Sequence, residues 1–440
     1  MKITVIGTGY VGLVSGVCFS EFGFDVICVD NNVAKISALQ KGDIPLYEPG
    51  LDKLLLKNIQ AGRLSFTSDS KESAREANIV FIAVGTPSKD DGSADLSYVY
   101  QAVNELADSI NRDAALVIKS TVPVGTTRAI KNFLLDQGVK LDVVFNPEFL
   151  KEGEAIKDFM HPDRVILGVE SERAKEILSH AYRPLYVFNI PIVFTSLETA
   201  ELSKYASNAF LAMKVTFINE VANLCECCGA DVKQVALAMG LDKRIGDQFL
   251  QAGPGYGGSC FPKDTSALEN FANKLGVAMP LLNETIRSNG IRRKKMVEKI
   301  LQACDCDLKG KNISVLGVTF KADTDDMRDS PSIDIVGELL ERGARVKIYD
   351  PSFSEQAKRI FCNVVWSQNA YDNCNDADAV VIITDWSEFK ALNLKELRNR
   401  VRNPLLVDLR SMYPVSEVEA SGFTYCSVGR GFEKLESFDA

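Results

Sequence analysis

The sequence predicts an α/β fold in which two doubly wound, Rossmann-like domains are joined by a long central helix and a helical domain. Three observations support this fold class. Apolar strand-like segments alternate with helix-like segments over residues 1–195 and again after residue 300, as in parallel sheets covered by helices on both faces. Between these parts, residues 197–228 contain neither proline nor glycine, which predicts one long helix that is buried between domains or subunits.

The predicted strands are short apolar runs, and helical segments lie between several of them. The first helical segment, GLVSGVCFSEFG, follows the first strand and ends at a glycine. The strands of the first half are KITVIG, DVICVD, ANIVFIAV, ALVIKST, LDVVFNP, RVILGV and IPIVFTS. Those of the second half are KNISVLGVTF, ARVKIYD, DAVVIITDW and PLLVDLR.

The two α/β halves share a plan of strand, helix, glycine and strand, with an aspartate at the end of the second strand. This residue is Asp30 in the first half and Asp350 in the second. We therefore expect two nucleotide-binding-type domains, at residues 1–195 and 301–440, on either side of a helical domain at 196–300. The second half lacks the glycine fingerprint of the first, so it need not bind the same ligand.

Composition and charge restrict the class of protein. The chain has 440 residues, of which 46% are hydrophobic and 25% charged, as in ordinary globular proteins. No apolar run reaches the roughly 18 residues of a membrane span. The short apolar start leads into a glycine-rich turn rather than a cleavage site, which argues against a signal peptide. The net charge of −9 argues against nucleic acid as a partner. We expect a cytoplasmic protein.

The eleven cysteines are an odd number scattered along the chain. They form no disulfide framework for a protein of this size, and a reducing compartment fits them. The CECC segment at Cys225, Cys227 and Cys228 has the look of a metal cluster. Since the chain has only two histidines and no matching CxxC, we interpret these residues as small apolar side chains on a packed helix and expect no metal site.

A dinucleotide fingerprint follows the first strand. Gly7, Gly9 and Gly12 give the pattern G-x-G-x-x-G at the start of a helix: the first glycine permits a tight turn, the second lets a pyrophosphate approach the backbone, and the third allows close helix–strand packing. Asp30 ends the second strand, where a carboxylate accepts ribose hydrogen bonds and repels a 2′-phosphate. The pattern favours NAD over NADP, with a flavin or other nucleotide site as the alternative.

Polar residues follow the later strands, where ligands of open α/β sheets bind. Thr86, Pro87 and Thr121 are placed there to line the cofactor, although each stretch could also be a simple turn. Glu148 and Glu152 follow another strand, four residues apart. They are candidates for general base catalysis, or else acidic residues of the kind that are favourable at a helix start.

Two further groups of residues are candidates for a reactive site, and the second contains a cysteine. Lys204 and Asn208 share one face of the long helix; if buried they need partners, but a surface stripe would explain them equally well. The stretch GPGYGGSCFPKD carries Cys260, Lys263 and Asp264 after four glycines. Glycines free backbone N–H groups for an oxyanion, and a nearby lysine favours a thiolate. We interpret Cys260 as an activated nucleophile; the alternative is a flexible loop with an incidental cysteine.

In their order along the chain these motifs resemble the nucleotide-sugar dehydrogenases of the UDP-glucose/GDP-mannose dehydrogenase family. The resemblance rests on GTGYVGL, STVPVGTT, NPEFLKEG, ELSKYASNAFLA, GYGGSCFPKD and FKADTDDMRDSPS, and it covers essentially the whole chain. It implies a four-electron oxidation of a sugar C6 alcohol to a carboxylate with two NAD. UDP-glucose is the favoured substrate, and GDP-mannose or a UDP-N-acetylhexosamine are the alternatives.

The resemblance also implies residue roles. Cys260 would form a thiohemiacetal and then a thioester, Lys204 would stabilise oxyanion charge, and Asp264 would assist the hydrolytic water. The full implied catalytic set is Cys260, Lys204, Asp264, Asn208, Thr121 and Glu148. The implied cofactor contacts are Gly7, Gly9, Tyr10, Val11, Gly12, Asp30, Lys35, Thr86, Pro87, Thr121, Glu152, Lys263 and Arg328. The implied substrate contacts are Glu148, Phe149, Leu150, Lys204, Asn208, Arg244, Phe249, Tyr256, Gly257, Cys260, Phe320, Lys321 and Arg410.

The resemblance assigns domain roles as well: NAD binding to 1–195, dimerisation to 196–300 and UDP-sugar binding to 301–440. Arg244 would reach the site of a second subunit, so we expect a homodimer or higher oligomer. Gln251 stands where some relatives have a lysine, so this chain departs from the family pattern among the residues that bind the nucleotide. A two-electron hydroxyacid dehydrogenase or a non-enzymatic NAD-binding regulator would leave Cys260 or the second α/β half unexplained.

Overall fold

The computed structural model describes residues 1–431; residues 432–440, the end of the predicted third domain, lie outside the described part. The chain divides into two compact units. The first comprises Met1–Ser207 with Ser266–Val277, and the second comprises Asn208–Thr265 with the chain from Ala278 onward. The three-domain division drawn from the sequence stays a prediction.

The first unit contains an eight-stranded sheet. Its strands are β1 (Lys2–Ile6), β2 (Asp25–Val29), β3 (Leu64–Thr67), β4 (Ile79–Ile82), β5 (Ala115–Ile118), β6 (Asp142–Phe145), β7 (Val165–Gly168) and β8 (Ile192–Thr195), in the spatial order β3-β2-β1-β4-β5-β6-β7-β8. Ile3 pairs with Val26 on one side and with Ile79 on the other. The strands from β3 to β6 are parallel, which confirms the Rossmann-like prediction for this half.

The far edge of the sheet departs from the expected parallel arrangement. β7 pairs with β6 in antiparallel orientation at Phe145 and Gly168, and β8 is parallel to β7. The connection from β6 to β7 contains only a six-residue helix, Ala155–Met160, which rises about 9 Å. β7 therefore begins at the end of the sheet where β6 has just finished, as antiparallel pairing requires.

Helices cover both faces of this sheet. Along β4, Ile79 and Phe81 pack into one apolar cluster while Val80 and Ile82 pack into another, as in a sheet buried on both sides. The helices are α1 (Tyr10–Glu21), α2 (Val33–Lys41), α3 (Leu51–Gln60), α4 (Ser70–Arg75), α5 (Ser97–Leu106), α6 (Thr126–Asp136), α7 (Ala155–Met160) and α8 (Glu172–Ala181), followed by a 3-10 helix, Arg183–Phe188.

The predicted central helix is confirmed. α9 (Leu197–Cys228) has 32 residues, and the following Gly229 has φ +74°, the left-handed conformation with which helices commonly end. The other helices of this part are α10 (Val232–Gly240), α11 (Phe261–Lys274) and α12 (Pro280–Ala303). α9 and α11 each contribute residues to both units. Within residues 1–431, no helix combines the length and the apolar character that crossing a membrane requires.

The second unit contains a six-stranded parallel sheet in the order β11-β10-β9-β12-β13-β14. Its strands are β9 (Asn312–Leu316), β10 (Arg345–Tyr349), β11 (Val365–Trp366), β12 (Ala379–Ile382), β13 (Leu405–Asp408) and β14 (Thr424–Ser427), and its remaining helices are α13 (Pro331–Glu341), α14 (Glu355–Ile360), α15 (Ala370–Asn373), α16 (Ser387–Lys390), α17 (Leu394–Arg398) and α18 (Val415–Ala420). This second Rossmann-like sheet confirms the other half of the predicted fold class.

Candidate active site

The three glycines of the fingerprint have different surroundings. Gly7 has φ +97°, and a Cβ there would lie 2.7 Å from the carbonyl oxygen of Ala83. A Cβ on Gly12 would lie 1.9 Å from the carbonyl oxygen of Gly7, so this glycine permits the helix to pack on the turn. A Cβ on Gly9 would meet nothing within 4 Å. Gly9 therefore leaves the N-terminus of α1, with Val11 in its first turn, open to a ligand. A pyrophosphate bound at this helix N-terminus requires such an opening.

Asp30 closes the glycine turn from the end of β2. Its Oδ2 accepts hydrogen bonds from the backbone N–H and the hydroxyl of Thr8, at 3.0 and 2.7 Å, while Oδ1 accepts from the N–H of Asn32 at 3.0 Å. Lys35 pairs with Oδ2 at 3.3 Å. Burial acts to raise the pKa of Asp30, but these donors outweigh it and the pKa is lowered. The side chain is thus held as an anion at the ribose position of the fold.

The equivalent aspartate of the second unit is fully occupied by its own chain. Asp350 is 1% exposed. Its carboxylate accepts hydrogen bonds from the backbone N–H groups of Val318, Thr319 and Ser352 and from the hydroxyls of Thr319 and Ser352. The second sheet therefore keeps the strand-end aspartate as a structural brace, which agrees with the absence of the fingerprint there.

The two predicted cofactor loops come together in the structure. The hydroxyl of Thr86 donates to the carbonyl oxygen of Thr121 at 2.9 Å; Thr86 is buried and the neighbouring Pro87 is exposed. The loop after Thr121 ends at α6, whose first N–H groups are capped by Glu201 of α9. The carboxylate of Glu201 accepts from the N–H groups of Gly125 and Thr127 at 2.6 and 2.7 Å.

Glu148 and Lys204 form a buried ion pair. Their Oε1 and Nζ atoms are 3.0 Å apart, and the side chains are only 6% and 3% exposed. The backbone N–H of Leu150 donates to the other carboxylate oxygen at 2.6 Å. Burial acts to raise the pKa of Glu148, but Lys204, the N–H of Leu150 and Lys119 together lower it. The carboxylate is thus held as an anion, and Phe149 packs its ring 5.1 Å from Nζ of Lys204.

Sequence reasoning missed the residues beneath this pair. Lys119, at the end of β5, is 3% exposed, and its Nζ donates to Oδ1 of Asn146 at 3.2 Å. The hydroxyl of Tyr182 donates to the same oxygen at 2.5 Å. A lysine that directly follows a buried apolar strand was the available signal for this cluster, since such a side chain needs a special partner.

A second buried polar cluster lies at the start of α11. Nδ2 of Asn208 donates to Oδ2 of Asp264 at 2.6 Å, and Nζ of Lys263 lies 2.6 Å from Oδ1 of the same carboxylate. Asp264 is 1% exposed and Asn208 is 5% exposed. Lys263, expected beside the thiolate, thus has Asp264 as an ion-pair partner.

Cys260 directly precedes α11, and its carbonyl oxygen accepts from the N–H of Asp264 at 2.8 Å. The N-terminus of a helix favours a thiolate over a thiol. The side chain is partly exposed, and Oγ of Ser259 lies 3.6 Å from its sulfur. None of the eleven cysteines, all within the described residues, forms a disulfide.

Helix α12 holds the glycine loop that leads to Cys260, and sequence reasoning did not identify these contacts. Asn289 bonds both the N–H and the carbonyl oxygen of Tyr256, at 2.9 and 3.0 Å. Arg292 donates to the carbonyl oxygen of Gly253 at 2.8 Å. A Cβ on Gly257 would lie 2.2 Å from the carbonyl oxygen of Asp329, so the predicted substrate contacts Tyr256 and Gly257 belong to a tightly packed loop.

The expected substrate contacts of the second sheet lie beyond the carboxyl ends of its strands, where ligands of such sheets bind. Arg410 follows β13 and donates to the carbonyl oxygens of Ile383 and Phe320, at 2.8 and 3.0 Å. Nζ of Lys321 lies 5.8 Å from the ring centroid of Phe320. Phe249 has φ +63° and packs its ring 5.8 Å from that of Phe261.

The remaining predicted contacts lie in loops, apart from Tyr10 at the start of α1. Arg244 is 89% exposed and pairs with Asp242 at 2.6 Å. Arg328 pairs with Asp326 at 2.8 Å. The hydroxyl of Tyr10 donates to Glu48 and accepts from the N–H of Gly153. Glu152 is half-buried next to that glycine, and Gln251 is exposed.

An anionic side chain at the ribose position behind an open glycine turn is what a dehydrogenase that uses NAD requires, and the protein is an oxidoreductase of this class. Comparison with protein families narrows it. The models for the NAD binding, central and UDP binding domains of the UDP-glucose/GDP-mannose dehydrogenase family match residues 1–186, 198–290 and 314–415. The chain belongs to this family, and NAD is its cofactor.

Individual relatives match over nearly their whole length. The chain is 52% identical over 435 residues to a UDP-glucose 6-dehydrogenase of Rhizobium meliloti, covering 98% of this chain and 100% of the relative. The corresponding protein of Rickettsia bellii is 48% identical over 98% of this chain and 99% of its own. Among solved structures, a UDP-glucose dehydrogenase from Pyrobaculum islandicum superposes with a TM-score of 0.89 at 37% identity, over 98% of each chain.

Two fingerprint glycines should have different roles: Gly12 in packing and Gly9 in cofactor binding. We expect Gly12→Ala to lower the free energy of unfolding by about 1–3 kcal/mol, because the new methyl group overlaps the carbonyl oxygen of Gly7. Gly9→Ala is the matched control: it should leave stability unchanged, because nothing lies near the new Cβ, yet weaken NAD binding. Denaturant unfolding and NAD titration measure the two effects. An equal loss of stability in both variants would contradict this division.

Asp30 should set the choice of cofactor. We expect Asp30→Ala to raise the KM for NAD and to narrow the preference for NAD over NADP, because both a ribose acceptor and the charge that repels a 2′-phosphate are removed. Asp30→Asn keeps an acceptor without the charge and so isolates the electrostatic part. Steady-state kinetics with both cofactors provide the test, and an unchanged NAD/NADP ratio in both variants would show that Asp30 does not contact the ribose.

Proposed function

We propose that the protein oxidises UDP-glucose at C6 to UDP-glucuronate, with two NAD reduced for each sugar. The observation that carries this proposal is the placement of Cys260 before α11, at the end of a tightly held glycine loop and four residues from the buried Asp264. A two-electron alcohol oxidation needs no nucleophile, whereas an aldehyde can lose a second hydride only after a group has added to its carbonyl carbon. A positioned thiol therefore supports a four-electron reaction.

The proposed reaction consists of two oxidations, with a thiol addition between them, and a final hydrolysis. The C6 alcohol loses a hydride and a proton and becomes an aldehyde. The Cys260 thiol adds to the aldehyde carbon, so that a C–S bond forms and the thiol proton is transferred to the oxygen. This thiohemiacetal loses a second hydride and the hydroxyl proton and becomes a thioester. Water then adds, the C–S bond breaks, and the carboxylate, the thiol and one proton are released. NAD accepts the hydride in each oxidation.

The chain's own residues supply the proton transfers and the charge stabilisation. We assign Glu148 to acid–base work, because it is held ionised by Lys204 and by the N–H of Leu150. We assign Lys204 and Asn208 to the oxyanion that develops at C6, since donors of this kind stabilise such charge. Asp264 would orient the hydrolytic water, and Thr121 would contribute to binding it.

The assignment of a UDP-sugar as the substrate rests on the family match and on residues of the second sheet. The names of the matched relatives, the match to a UDP binding domain model and the residues beyond the ends of β9 and β13 all support a UDP-sugar. A GDP-mannose or UDP-N-acetylhexosamine substrate would use the same thiol chemistry. A screen of these nucleotide sugars for NADH production tests the assignment, and the highest kcat/KM with a sugar other than UDP-glucose would contradict it. All eleven thiols suit a reducing cytoplasm, the compartment that we propose.

A ridge on α9 supports a dimer. Phe210, Phe217 and Leu224 are 57%, 50% and 65% exposed and recur every seven residues, which keeps them on one face of the helix with a drift of only about 20° per repeat. Large apolar side chains in a row on a helix favour association with another copy. We propose that this ridge packs against its equivalent, with the exposed Arg244 presented to the partner's substrate.

The proposed role of the Cys260 thiol predicts the yield of NADH per sugar. We expect the wild type to release two NADH per UDP-glucose without free aldehyde, and Cys260→Ala to lose the overall reaction while still binding UDP-glucose and NAD. Cys260→Ser should accumulate an acyl-enzyme, because an ester is hydrolysed less readily than a thioester. NADH yield per sugar and intact protein mass measure these outcomes. Cys306→Ala, at an exposed cysteine, is the control; wild-type rates of UDP-glucuronate formation by Cys260→Ala would sink the mechanism.

The α9 ridge should determine the oligomeric state. We expect Phe217→Glu to yield monomers with reduced kcat/KM for the sugar, because a charge on the ridge cannot be buried without a partner. Leu275→Glu, at an exposed leucine outside the ridge, should stay dimeric. Sedimentation at assay concentration separates the two. A wild type that is monomeric and fully active would refute the dimer.

A further inference from the structure

A second buried lysine lies beneath the Glu148–Lys204 pair. Lys119 directly follows β5 and is 3% exposed. Its Nζ lies 5.9 Å from the ring centroid of Phe81 and 6.0 Å from that of Phe159, and it donates to Oδ1 of Asn146. The ammonium thus sits among apolar rings with one neutral amide as its hydrogen-bond acceptor. Burying a lysine in this way is costly, so its stabilising value alone does not account for it.

The acceptor of Lys119 belongs to the turn that carries Glu148. Asn146 is held at both ends of its amide: Oδ1 accepts from Lys119 and from the hydroxyl of Tyr182, and Nδ2 donates to the carbonyl oxygen of Ile166 at 3.0 Å. Two residues further along, Glu148 accepts from the N–H of Leu150. The backbone from Asn146 to Leu150 is therefore fixed by contacts that originate in the core of the first unit.

The charges of this cluster are unbalanced. One carboxylate, Glu148, is influenced by two lysines: Lys204 pairs with it at 3.0 Å, and Lys119, bound to Asn146 two residues earlier, also lowers its pKa. Burial lowers the pKa of Lys119 to about 8, while Glu148 acts to raise it and Lys204 to lower it further. The other titratable group at the cluster is Tyr182, whose pKa is raised by burial. The cluster therefore combines one carboxylate with two lysine side chains.

We infer that Lys119 is a positioning residue for the oxidation: it fixes the Asn146–Glu148 turn and supplies the second positive charge that keeps Glu148 ionised and ready to accept a proton. This inference rests on the proposed function, in which Glu148 acts as a carboxylate. A methionine would fill the same volume without the cost of burying a charge. The lysine in this place therefore points to an electrostatic role at the site.

The test is the pH profile of Lys119→Met. Because a nearby cation lowers the pKa of a carboxyl group, its removal raises the pKa of Glu148. Activity that needs ionised Glu148 is lost as the pH falls through that pKa, so the acid limb of kcat/KM for UDP-glucose should move to higher pH. We also expect kcat on the plateau to fall roughly tenfold. Lys119→Arg retains the charge and should keep the wild-type acid limb.

Tyr182→Phe is the matched control. It removes a hydrogen bond from the same oxygen of Asn146 without changing any charge, so it should lower stability or kcat with an unshifted acid limb. A Lys119→Met profile that follows Tyr182→Phe, with lower kcat but no shift, would show a structural role only and overturn the inference. An unchanged kcat and profile would overturn it as well.

A measurement on the wild type covers the case in which Lys119→Met does not fold. The protein is labelled with carbon-13 at the lysine ε positions, and the Lys119 signal is identified by its loss in Lys119→Arg. A signal that stays protonated at pH 7 and titrates near the pKa of about 8 supports the inference, whereas a neutral amine at pH 7 overturns it. This titration needs no turnover, so a wild type that fails to oxidise UDP-glucose would refute the proposed function without deciding the role of Lys119.

Discussion

The arrangement of polar groups depends on the periodicity of one helix. Glu201, Lys204 and Asn208 lie three and four residues apart on α9, and all three are buried, at 0%, 3% and 5% exposure. Each has a separate partner: Glu201 caps α6, Lys204 pairs with Glu148, and Asn208 holds Asp264. Because residues at this spacing share a face, about two turns of helix provide the partners of the α6 N-terminus, of Glu148 and of Asp264. Shifting the helix by one residue would strand three buried polar groups.

The sequence allowed the fold class and the long helix to be predicted because both depend on local patterns. These patterns can be read directly from the amino-acid sequence: the alternation of strands and helices, the glycine spacing, and a run without glycine or proline. The short strands Leu64–Thr67, Val365–Trp366 and Thr424–Ser427 were not predicted, since they carry too few apolar residues to stand out. The antiparallel orientation of β7 was missed because an apolar run predicts a strand but does not give its direction. Lys119, Glu201 and Asn289 have partners that are distant in sequence, and only the position of Lys119 directly after an apolar strand gave a local signal.

The two halves show how one strand plan serves two purposes. In the first unit a glycine turn leads within a few residues into α1, and Asp30 keeps an accessible position beside it. In the second unit α13 begins at Pro331, well after β9, and five donors from its own chain occupy Asp350. The loop between β9 and α13 instead carries Phe320, which contacts Arg410. The strand-end aspartate thus braces the turn in the second unit, and the longer loop is where we propose that the sugar nucleotide is bound.

The glycines before Cys260 serve packing rather than flexibility. Gly253, Gly255, Gly257 and Gly258 are all buried. Added Cβ atoms would lie 2.7 Å from Asn289 at Gly255, 2.2 Å from the carbonyl oxygen of Asp329 at Gly257 and 2.7 Å from the ring of Phe320 at Gly258. Only residues without side chains let this backbone be clamped from several sides. A nucleophile must be held to well under an ångström to react efficiently, so a rigid glycine-rich backbone before Cys260 supports the nucleophilic role that we propose for its thiol.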